Sequence, residues 1–206
     1  CIRDRLYPGL KTYRIILKSG FQWHFNRRNE DDTMSVFREK LQWPRYEKSI
    51  VNLMASLMKY YGADSIYKTI PELDCELEKG YRNVVLIVFD GMGVKALERH
   101  LEDSSFLRKH MVSPIQSVFP PTTTAAMTSY YTGVSPAEHC WLGWSLYFKG
   151  YGAMVDVFTN HNSYKGVPME TKRIAYRELP YKTVYEKISK SVDGELDIHT
   201  LKPEAI

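Results

Sequence analysis

Two short stretches hold residues whose types can do chemistry together. The stretch VVLIVFDGMG, residues 84–93, runs six apolar residues into an acid and two glycines, so the Asp90 carboxylate stands where a strand should end and the backbone turn. The stretch FPPTTTAAMTSYYTG, residues 119–133, offers the hydroxyls of Thr122, Thr123 and Thr124 after two prolines, at the start of a helix that Gly133 closes. The free N–H groups of such a helix start favour anionic oxygen. A threonine hydroxyl is a feeble nucleophile until a base or a cation removes its proton. A carboxylate on the neighbouring strand end can hold that cation, which lowers the hydroxyl's pKa and neutralises phosphate charge together. Each stretch also has an ordinary structural use, Asp-Gly as a turn and the threonines as a cap.

The elements that must position these residues follow from pattern. Residues 46–61 place Ile50, Leu53, Met54, Leu57, Met58 and Tyr61 at helical steps before Gly62, which predicts an amphipathic helix with a methionine-rich core stripe. A polar connection leads to a predicted strand at 84–89, a turn, and a helix from Val94 to about Glu102. A second strand is expected within 112–119, a short strand in MVDVF, residues 154–158, and a helix in YKTVYEKISK, residues 181–190. A continuous apolar run suits a strand covered on both faces, so the fold class is α/β, a mostly parallel sheet flanked by helices. In open sheets of that kind ligands bind at the carboxyl edge of the strands, where Asp90 and the threonines fall.

Composition narrows the class. The chain has 206 residues, 44% hydrophobic and 25% charged, as in an ordinary globular protein. The net charge of +4 is concentrated in residues 1–33, and the remainder holds 21 basic against 20 acidic residues, so no nucleic-acid surface is expected. Residues 1–33 show no clear periodicity and are read as an extension without assigned function, with the domain taken as 34–206. Cys1, Cys75 and Cys140 are odd in number and widely spaced, which fits a reducing, cytoplasmic setting. No run reaches the roughly 18 apolar residues of a membrane span, and no export signal is evident.

LIVFDGMG followed by SVFPPTTTAAMTSYYTGVSPAEH resembles the amino-terminal half of the alkaline phosphatase superfamily, in its type I phosphodiesterase/nucleotide pyrophosphatase branch. The resemblance implies an alkaline-phosphatase-like fold and a metal-dependent hydrolase acting on small-molecule phosphate esters. It implies two zinc ions, with Asp90 a metal ligand and Thr123 both nucleophile and ligand; Thr122 and Thr124 are the fallback positions. It further implies a phospho-threonine intermediate released by a metal-bound water. The remaining ligands of such a centre, an Asp-x-x-x-His, an Asp-His pair and a final His, belong to a second half that these residues do not contain. The chain is accordingly expected to be truncated, to bind metal weakly and to hydrolyse little.

Several positions depart from the pattern or compete for a role. Cys140 stands where the family usually has glycine and is read as a small buried residue. Trp144 stands where pyrophosphatases have an asparagine that steadies a phosphate oxygen, which sets the nucleotide substrate in doubt. His139 is expected to order the turn after Pro136, and His161 and His199 to be loop residues. The aromatic-rich stretch at 139–158 is read as core before substrate pocket. Two other functions compete: an inactive fragment or non-catalytic binding module of the same fold, and a dinucleotide-binding protein, since residues 91–96 fit G-x-G-x-x-A. The dinucleotide reading suffers from an acid beside the loop and no acid closing the next strand.

Overall fold

The computed structural model describes residues 44–81 and 83–191 together with two short strands near the amino terminus. The chain divides into two units, Cys1–Gln42 and Trp43–Ile206. In the first, β1 (Arg14–Ile16) pairs antiparallel with β2 (Gln22–His24), Ile15 opposite Trp23.

The second unit is built around α1 (Ile50–Tyr60), the amphipathic helix its periodicity predicts. Met54 and Met58 lie in a buried cluster with Ala63, Val184 and Ile188, and Ile50 and Val51 in another with Val118 and Ala125. The start of α1 is tied down by Asn52, which is wholly buried. Its carbonyl accepts from the Ser49 N–H at 2.9 Å and hydroxyl at 2.7 Å, and its amide donates to the Tyr46 and Lys68 carbonyls at 3.0 and 2.8 Å. The segment read as a polar connection contains α2 (Pro71–Leu77). Its signal was Pro71 at the first helical position with Glu72 and Asp74 in the first turn; with only Leu77 buried, it offers no periodicity to read.

Two short helices follow, α3 (Val94–His100) and α4 (Phe106–Lys109), neither with a buried residue. Then comes α5 (Thr123–Thr132), preceded by a cis Phe119–Pro120 bond and ended by Gly133 at φ 67°. A Cβ on Gly133 would meet Met58 Sδ at 2.9 Å, so glycine there serves both the left-handed turn and the close approach to α1. Lys187 caps the same helix end, donating to the Thr132 carbonyl at 2.6 Å. A four-residue helix, α6 (Pro136–His139), leads to a meander of β3 (Ser145–Phe148), β4 (Ala153–Asp156) and β5 (His161–Asn162). The chain continues through α7 (Ile174–Glu178) and α8 (Val184–Ile188). Trp141, Phe148, Val155, Val157 and Ile174 make the core beneath the meander.

The expected parallel sheet is corrected here: the three-stranded sheet of this unit is antiparallel, and residues 84–89 and 112–119 form no ladder among the described residues. The sole parallel pairing described is a bridge between Ser49 and Gln116. The physical reason is lack of cover. A continuous apolar strand is held by neighbours on both edges and helices on both faces, whereas Val85 is 77% and Ile87 67% exposed. No helix among the described residues is long and apolar enough to cross a membrane.

Candidate phosphoester site

The three threonines have three different environments. Thr122 is the N-cap of α5, its Oγ1 accepting from the Ala125 N–H at 3.2 Å and donating to the Leu142 carbonyl at 3.4 Å. It is committed to structure. Thr124 is fully buried, and its hydroxyl has no partner among the described residues. Thr123 lies between them, half-buried, and its hydroxyl donates to Asp90 Oδ2 at 3.2 Å. The two residues singled out in sequence, 33 positions apart, are therefore in contact. Asp90 itself is exposed in the turn that Gly91 makes at φ 73°.

Whether these oxygens suit a metal can be judged from their spacing. Two oxygen ligands on one tetrahedral zinc lie roughly 3.3–3.6 Å apart, given metal–oxygen distances of about 2.0–2.2 Å, and the 3.2 Å between Thr123 Oγ1 and Asp90 Oδ2 is close to that edge. The pair thus fits one side of a cation site. A complete centre needs more: among the described residues no group of three or more His, Cys, Asp and Glu side chains converges on one point.

His139 fastens the helix that carries Thr123. It is 4% exposed, accepts at Nδ1 from the Trp141 N–H at 3.0 Å, and lies 3.1 Å from Ser129 Oγ through Nε2. With Nδ1 accepting, the neutral ring carries its proton on Nε2 and donates from there to Ser129. Burial depresses its pKa from 6.5 to about 4. The turn after Pro136 is thereby ordered as expected, and the ring also joins α5 to the segment whose Leu142 carbonyl meets Thr122. Pattern reading had no signal for that second role, which depends on a residue from α5.

Cys140 is exposed and adopts φ 62°, ψ 8°, just past the end of α6. This corrects the expectation of a buried small residue and accounts for glycine elsewhere in the motif, since the left-handed region penalises any Cβ. Cys140→Gly is expected to stabilise the chain by about 0.5–1 kcal/mol, the gain at Cys140 being partly offset by a freer unfolded chain. Urea denaturation midpoints measure this, with Cys140→Ser as the control that should gain nothing. His161 lies in β5, opposite Asp156, with Nδ1 2.8 Å from the Thr159 carbonyl. His199 lies outside the described residues.

The model of the type I phosphodiesterase/nucleotide pyrophosphatase family matches residues 84–192, more than half of the chain, with both Asp90 and Thr123 inside the match. The chain belongs to this family. No curated protein and no solved structure matches it. Membership brings the alkaline-phosphatase-like α/β fold and the phosphoester hydrolase class. The family acts on small phosphate esters and is generally metal-dependent.

Proposed function

We propose that this protein is a metal-dependent phosphoester hydrolase in which Thr123 is the nucleophile and Asp90 and Thr123 hold a divalent cation, zinc by preference, as one part of a two-metal centre. The observation carrying the reading is the 3.2 Å contact between Thr123 Oγ1 and Asp90 Oδ2, within a stretch that matches a phosphodiesterase family. A cation bound there supplies positive charge that acidifies the hydroxyl and offsets the charge on phosphate. The residues themselves do the rest. Asp90 orients the Thr123 hydroxyl. The first turn of α5 directs backbone N–H groups at the phosphoryl oxygens. The Thr122 cap fixes that turn, and the His139 clamp holds the same helix further on, at Ser129. Attack forms a bond from Thr123 Oγ to phosphorus and breaks the bond to the leaving alcohol oxygen; water then cleaves the phospho-threonine.

Cys75 and Cys140, both free and exposed, favour a reducing, cytoplasmic setting.

The test is chemical trapping. Protein incubated with zinc and p-nitrophenyl phosphate, then quenched in acid and digested, is expected to carry phosphate on Thr123. Label on Thr122 or Thr124 instead, or equal labelling of Thr123→Ala, contradicts the assignment. A non-catalytic module of the same fold would give no covalent phosphate at all.

A further inference from the structure

The buried face of α5 is built largely of hydroxyls. Its buried residues are Thr124, Ala125, Thr128, Ser129 and Thr132, and only Ala125 is apolar. Two of the four hydroxyls are spent inside the fold. Ser129 Oγ lies 3.1 Å from His139 Nε2, and Thr132 Oγ1 donates to the Thr128 carbonyl at 2.7 Å, the bond back to the preceding turn that helical threonines make. Thr124 and Thr128 are both 0% exposed, and neither Oγ1 has a partner among the described residues. A buried hydroxyl without a partner has lost its hydration and gained nothing in return, so two of them on one helix mark a place that accommodates something polar.

The spacing of the two residues limits what that can be. Residues four apart on a helix lie on one face, one turn apart, with Cβ atoms about 5–6 Å from each other. An oxygen making two hydrogen bonds of about 2.7–2.8 Å spans up to about 5.5 Å. One small molecule therefore reaches both hydroxyls. It has to be neutral, because no charged side chain is among the buried residues of α5 and a hard cation takes about six or more oxygens. Water meets the requirement. It donates to or accepts from either hydroxyl, and a buried water makes about three hydrogen bonds, with two as the lower limit.

We infer that Thr124 and Thr128 together bind one buried water molecule, which bridges their hydroxyls along the inner face of α5. The inference stands apart from the phosphoester chemistry, since it uses neither Asp90 nor a cation. It does bear on the choice among the three threonines. Thr122 is spent on the cap and Thr124 on the water, which leaves Thr123, in contact with Asp90, as the hydroxyl open to a substrate. The water also completes a polar seam along the helix, from Thr124 through Thr128, whose carbonyl holds Thr132, to the end of α5.

The experiment is a double-mutant cycle in urea on the full chain, with valine as the replacement that keeps the shape of threonine and drops its hydroxyl. Thr124→Val and Thr128→Val are each expected to lower the midpoint by about 0.5 M, because the water then has one partner and the remaining hydroxyl is stranded with it. The double variant is expected to regain most of that loss, since no polar group is left unpaired. Single variants that leave or raise the midpoint would mean that the hydroxyls have no partner at all, and losses that add would mean that each has a partner of its own. Either result overturns the inference. A measurement on the unaltered chain covers the case in which the variants do not fold. Long-lived water is expected to give nuclear Overhauser cross-peaks to the methyl groups of Thr124 and Thr128, and absence of the cross-peak at either residue overturns the shared site.

Discussion

Lowering the pH from 7 to 4 is expected to remove up to about 3 kcal/mol of stability through His139 alone, from a pKa that falls from 6.5 unfolded to about 4 folded, at about 1.4 kcal/mol per unit. Between those two values the unfolded chain binds the proton and the folded chain does not, so stability rises with pH across that window. It is fully present above about 6.5 and lost as the pH falls toward 4. Geometry gives the reason independently of titration. A protonated ring would carry hydrogen on Nδ1, facing the Trp141 N–H that now donates to it at 3.0 Å, in a site 4% exposed. The imidazolium would lose one hydrogen bond and be desolvated, a cost that the nearby Glu138 carboxylate offsets only in part. His139→Gln, neutral throughout, should flatten the pH dependence of the urea midpoint between 6.5 and 4. An identical slope in both proteins would contradict the clamp. Because Ser129 and Trp141 flank the ring, loss of the clamp is also expected to loosen the hold on α5 at Ser129.

The second large effect is at Asn52. Its four hydrogen bonds, from 2.7 to 3.0 Å, satisfy two carbonyls, one N–H and one hydroxyl in a fully buried place. Asn52→Leu leaves all four groups without their partner, and the expected cost is about 3 kcal/mol, the sum being limited by relaxation. Asn52→Asp should cost at least as much at neutral pH, since a carboxylate would face the Tyr46 and Lys68 carbonyls that the amide now serves. The consequence reaches the candidate site. Ser49, held by Asn52, bridges to Gln116, and the chain runs from there through buried Val118 to the prolines and Thr123. A thermal denaturation series gives the stability loss, and an Asn52→Leu protein as stable as the parent would show that the network is dispensable.

Much of the site was legible in sequence because its signals are local. An acid after an apolar run, hydroxyls after two prolines and a glycine closing the helix each describe one turn of backbone, and α1, α3, α5 and α8 form where their patterns place them. The 3.2 Å meeting of Asp90 and Thr123 could be anticipated only by assuming that two strand ends lie side by side. What could not be read depends on distant partners. The choice among three adjacent threonines turns on Ala125, Leu142 and Asp90, which occupy the hydroxyls differently. Cys140 gives no hint of its left-handed backbone except that glycine is usual there. The expected ladder at 84–89 failed for the complementary reason. An apolar run states that a strand is to be buried but not by what, and helix α3, which follows it, buries no side chain of its own.

The shared-cation site is tested most directly by paramagnetic broadening. When Mn²⁺ is titrated below stoichiometry into the ¹⁵N-labelled chain, the amide resonances of Asp90, Gly91, Thr123 and Thr124 are expected to broaden first, and Asp90→Asn should abolish the effect. Broadening that begins elsewhere, or that persists unchanged in Asp90→Asn, would show that no cation is held between Asp90 and Thr123.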